Sequence, residues 1–110
     1  MSDFSKKLKL YNQKLSKYKL KAGISFVSRN ACKRKIEDLE YRLTVAEKPS
    51  QNKAENERKK INAFKFKTEI KQTKKEQEIH EKAMNKAKRG MKKYEQKIVD
   101  LKNNQKKLKI

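Results

Sequence analysis

Phe4, Leu8, Tyr11, Leu15, Tyr18 and Ala22 recur at alternating steps of four and three residues. This 3.5-residue period places one apolar side chain per step on the side of a helix that packs along another. Leu10 and Leu20 fall beside the stripe and widen it. Ser2 or Asp3 supplies the amino-terminal cap. Gly23, just past the last periodic residue, predicts the end of this helix. The following Ile-Ser-Phe-Val-Ser, residues 24–28, reads as a turn, with Ser28 capping a second helix and Val27 stapled onto Cys32. The second helix carries Cys32, Ile36, Leu39, Leu43 and Ala46 at the same spacing. Two helices of about 20 residues, each about 30 Å long, joined by a short turn predict an antiparallel αα-hairpin.

Pro49 stops the second helix, because the residue before proline avoids the helical region, and Ser50 caps a third helical segment. This last segment keeps one phase longest. Its seam runs through Ala63, Phe66, Ile70, Thr73, Gln77, His80, Met84, Ala87, Met91, Tyr94, Ile98, Leu101, Gln105 and Leu108. An unbroken helix over 51–108 would be about 85 Å long. Gly90 is its weak point, costing about 1 kcal/mol of helix propensity against alanine, and is where the rod is expected to bend if it bends. Thr73, Gln77 and His80 make the middle of the seam polar. Two readings stand: a solvated stretch where the helix leaves its partner, or a polar layer that fixes register. Two 30 Å helices cannot cover a seam of about 70 Å. The seam from Met84 to Leu108 is therefore expected to need a second copy, another protein or a nucleic-acid groove.

The expected fold is all-α: an antiparallel helical hairpin over residues 1–48, then a long basic, coiled-coil-like helix over 49–110, with little independent globular core. Composition agrees. Leu, Ile, Val and Phe total 22 of 110 residues, while 42% of the chain is charged. Such a chain sits near the boundary of disorder and buries little apolar surface. With only two Gly and one Pro, little interrupts a regular backbone.

Charge changes the picture most. Thirty-three Lys and Arg face thirteen Asp and Glu, a net of +20. Self-repulsion of this size destabilises a compact chain and favours whatever neutralises it. The isolated chain is expected to be largely unfolded at low salt. The excess is uneven: +6 over residues 1–22, +2 over 23–49 and +12 over 50–110. The middle segment reads as the inner element, and its flanks supply basic faces. Residues 82–93 hold six basic groups and no acid, unlike an ordinary solvated face with compensating acids four residues away.

The expected nucleic-acid contacts are Lys6, Lys7, Lys14, Lys17, Lys21, Arg29, Arg34, Lys86, Lys88, Arg89, Lys92, Lys93, Lys106 and Lys107. The expected partner-helix seam is Leu8, Tyr11, Leu15, Tyr18, Ile36, Leu39, Leu43, Met84, Met91, Tyr94, Ile98 and Leu101. With 28 Lys and five Arg, binding of backbone phosphates is expected over base reading, which favours Arg. Phe64 and Phe66 cannot both face one seam, so Phe64 is a candidate partner contact.

No catalytic constellation, metal site or cofactor site is expected. The single Cys32 and the single His80 lie 48 residues apart, with no ligand-pair or glycine-rich phosphate motif. Each reads as a seam residue. One cysteine and no apolar run of about 18 residues predict a reducing intracellular setting (cytoplasm, nucleus or virion) without a membrane partner. The amino terminus lacks a secretory layout. Residues 1–22 are basic and amphipathic, but all-lysine where organellar presequences are Arg-rich, so import is not favoured.

These observations predict a non-enzymatic structural component of a ribosome- or virion-type nucleoprotein particle. It would bind nucleic acid, RNA before DNA, with neighbouring proteins and possible self-association through the long seam. Small helical ribosomal proteins have this general composition, an analogy that no motif carries. The rival reading is a coiled-coil cement protein on an acidic lattice, such as a viral capsid or cytoskeletal polymer.

Overall fold

The computed structural model describes residues 2–108. It contains two α-helices, α1 (Asp3–Ala46) and α2 (Lys53–Leu108), joined by residues 47–52. No strand occurs among the described residues. The all-α class and the helical hairpin both hold, but the arms of the hairpin are α1 and α2.

The turn expected at residues 24–28 does not exist, and Gly23 does not end a helix. The reason lies in the spacing. Ala22, Ser25, Arg29 and Cys32 continue the steps of three and four, and Ser25 and Arg29 are half-buried at seam positions. Polar side chains at two seam positions hid a phase that never breaks. Gly23 keeps a negative φ, and nothing lies within 4 Å of where its Cβ would stand. It occupies the outer side of α1 as an ordinary helical residue. Val27 is 66% exposed, so it does not staple Cys32.

At its start, α1 is capped by Ser2, whose Oγ accepts a hydrogen bond from Ser5 N–H at 3.3 Å. The cap of α2 is Asn52, not Ser50. Asn52 Oδ1 accepts from Ala54 N–H at 3.0 Å. Ser50 organises the turn behind it, accepting from Asn52 N–H (3.3 Å) and donating to Glu55 Oε2 (2.8 Å). Asn56 closes the turn through both ends of its amide. Its Oδ1 accepts from Ser50 N–H at 2.8 Å, and its Nδ2 donates to Ser50 O at 2.6 Å.

The chain forms two compact units, each built from a segment of both helices. The first comprises residues 1–26 and 82–110, the second residues 27–81. In each, the two segments run antiparallel. The second unit has the apolar core: Ile36, Leu39 and Ile70 buried together, with Leu43 and Phe66 packed on them. Cys32 is buried here as a free thiol. Thr73 is 2% exposed and donates its hydroxyl to Glu69 O at 2.7 Å, which satisfies it within its own helix. Gln77 and His80 are half-buried. The polar middle of the seam is therefore an interior layer, not a solvated stretch.

In the first unit Met84, Ala87 and Tyr94 are buried, Met84 to 3%. The α1 segment covers them, with Leu8, Tyr11, Leu15 and Tyr18 half-buried. The seam expected to lie open from Met84 onward is thus occupied within the chain. Met91, Ile98 and Leu101 are half-buried along it. The side chain of Leu108 lies outside the described residues.

Candidate nucleic-acid interface

The two units differ sharply in charge. The second holds fifteen basic and ten acidic residues, a net of +5. The first holds eighteen basic residues against only Asp3, Glu95 and Asp100, a net of +15. Three quarters of the excess therefore belongs to one half of the chain.

The positions flanking the seam explain how the second unit tolerates its charge. Lys35 and Arg42 on one flank of α1 share their register position with Glu69 and Glu76 of α2. On the other flank, Glu40 and Glu47 share theirs with Lys67 and Lys74. Opposite charges at such positions set pairing between helices. Lys67 Nζ stands 3.5 Å from Glu47 Oε1. Arg42 also pairs along its own helix with Asp38 at 3.1 Å.

The same register position in the first unit holds Lys7, Lys14 and Lys21 on α1 and Ala83, Gly90, Lys97 and Asn104 on α2, with no acid. Tyrosines lie beneath this edge. Tyr18 stacks on Tyr94 with ring centroids 5.8 Å apart and planes at 24°, and Tyr11 leans on Tyr94 at 6.0 Å. The lysines lie over these rings: Lys14 and Lys97 at 5.7 and 5.0 Å from the Tyr94 centroid, Lys97 also at 5.6 Å from Tyr11, and Lys21 at 5.7 Å from Tyr18. Ring quadrupoles attract cations at these distances. The aromatic seam thus holds ammonium groups that find no acid at their register position.

Gly90 makes the edge possible. A Cβ built there would meet the Tyr18 ring at 2.7 Å. Any side chain at this position would require the Tyr18 ring to shift. Beside it, Tyr18, Ile24, Ala83 and Ala87 line a cleft of about 300 Å³ flanked by Lys21 and Lys86, with Ser25 at its wall.

Of the residues expected to bind nucleic acid, Lys6, Lys7, Lys14, Lys17, Lys21, Lys86, Lys88, Arg89, Lys92, Lys93, Lys106 and Lys107 are all exposed in the first unit. They occupy flanking and outward positions of both helices and form no single stripe. Arg34 is exposed in the second unit. Arg29 is a half-buried seam residue, 3.9 Å from Glu81 and donating to Asn30 Oδ1 at 3.3 Å. Phe64 is 72% exposed, while Phe66 packs on the core. Sequence reasoning passed over Lys97, half-buried and over two tyrosine rings. Its position relative to the seam was the available signal, because it repeats the flank occupied by Lys7, Lys14 and Lys21.

Among the described residues no group of three His, Cys, Asp or Glu could hold a metal ion, and no helix is long and apolar enough to cross a membrane. Comparison with family models, with curated proteins and with solved structures finds no match.

Proposed function

We propose that this chain is a non-enzymatic structural component of a nucleoprotein particle and holds nucleic-acid backbone through its first unit. One observation carries the reading: eighteen basic residues against three acids on one half of the chain. The charge-matched second unit serves as the helical support. Lysine ammoniums bind phosphates as point charges, so the reading predicts affinity with little sequence preference. RNA is favoured over DNA on the analogy with small ribosomal proteins, in a reducing compartment, with protein neighbours in the same assembly.

The test is a salt titration of binding to a polynucleotide. Neutralising 6–10 phosphates predicts a loss of roughly 10³ to 10⁵ in affinity between 50 and 200 mM salt. Replacing Lys86, Lys88, Arg89, Lys92 and Lys93 with Gln should abolish most binding. Retained affinity in that variant would remove this surface from the account. The rival, a cement protein on an acidic protein lattice, is favoured by Leu10 and Leu20, which stand exposed on the outer side of α1. It predicts assembly that persists at high salt and is lost in Leu20→Asp.

A further inference from the structure

We infer that the tyrosine–lysine edge of the first unit is a track for single-stranded nucleic acid, with an unpaired base entering the cleft beside Tyr18. The inference rests on the backbone-binding reading above and adds the form of the ligand. Two features separate this edge from a merely basic surface.

The first is a set of lysines with no acid at their register position. Lys14 and Lys97 come from different helices, yet both ammoniums lie within 5.7 Å of the centroid of one ring, that of Tyr94. Their register position carries no acid on either helix of this unit, whereas in the second unit it carries Glu69 and Glu76. Cations whose register position holds no acid attract an anion. A phosphate of a polynucleotide is such an anion, and the Lys7, Lys14, Lys21 row repeats the offer every seven residues, about 10.5 Å along the helix.

The second is the cleft. Tyr18, Ile24, Ala83 and Ala87 line it together with two lysines, Lys21 and Lys86. A flat apolar ligand with phosphates on either side matches that combination. Proteins that bind single strands join a basic groove to aromatic side chains on which bases stack. A duplex keeps its bases stacked inside and presents phosphates alone, so it can use the lysines but not the cleft.

The experiment compares the full chain's affinity for an unstructured single-stranded oligonucleotide, a duplex with the same number of phosphates, and heparin, at one salt concentration. The single strand should bind about tenfold more tightly than the duplex. Tyr18→Leu should lower single-strand affinity about tenfold more than it lowers duplex or heparin affinity, the scale of one base stack. Tyr18→Phe should keep the preference. Ala83→Leu narrows the cleft while keeping the Tyr18 side chain and should produce the same selective loss, so the inference stays testable where Tyr18→Leu disturbs folding. Equal binding of single strand and duplex would overturn the track while leaving backbone binding intact. An equal fall for all three ligands in Ala83→Leu would overturn it too. Absence of binding to any of them would overturn both readings.

Discussion

The two glycines of this chain look alike in sequence, each alone in a charged helical stretch, but their surroundings are opposite. Nothing lies near the missing Cβ of Gly23, whereas that of Gly90 would meet the ring of Tyr18. Gly23→Ala should therefore raise stability by about 1 kcal/mol, the helix-propensity difference. Gly90→Ala gains the same propensity and loses the stacked tyrosines, so its urea midpoint should fall below that of the parent. Equal midpoints for the two variants would refute the close approach. In the second unit Leu39 is buried on Ile36 and Ile70. Leu39→Ala should cost about 2–5 kcal/mol, measured by the same denaturation. Val27 and Phe64, though apolar, are mostly exposed, and truncating either should change stability by less than about 0.5 kcal/mol.

Each seam was legible in the sequence as far as its apolar residues reached. From Phe4 to Ala22, from Cys32 to Ala46 and from Ala63 to Gln105, every residue expected on the seam is buried or half-buried. What could not be read was the join. Ser25 and Arg29 sit on the seam but resemble a loop, and Gly23 together with Ile24 and Val27 lowers local helix propensity. Packing along the whole of α1 overrides that weakness, as tertiary contacts commonly override propensity. The polar layer had the same ambiguity, because Thr73 satisfies its hydroxyl inside its own helix and can therefore be buried. The lysines of the interface were legible as a list, but their tyrosine floor and the Gly90 approach emerge only when the helices are paired. The unbroken α1 predicts that Ile24→Pro removes a helical hydrogen bond and costs about 3 kcal/mol or more. A turn at that place would accept proline with little loss. Loss of helical circular dichroism, or its retention, distinguishes the two.

On the scale of the whole molecule, charge is the force that salt controls. The first unit, at +15, is the part that self-repulsion weakens, and the second, at +5 with matched flanks, is the part that resists. Lowering ionic strength from 0.1 M to 0.01 M stretches the screening length from about 10 Å to about 30 Å. Amide hydrogen exchange should then lose protection first in residues 3–26 and 82–108, while 27–81 keep theirs. Uniform loss along both helices would show that the charge imbalance does not govern stability. The placement of the single turn at residues 47–52 also orders the folding reaction. Contacts such as Lys67–Glu47 close a short loop, whereas Tyr11 meets Tyr94 only after a long stretch of chain has been brought together. Loop closure grows costlier with length, and local contacts form faster. The hairpin should zip outward from its turn, so that a peptide of residues 27–81 forms helix alone, while peptides 1–26 and 82–110 mixed together stay unstructured until a polyanion is added.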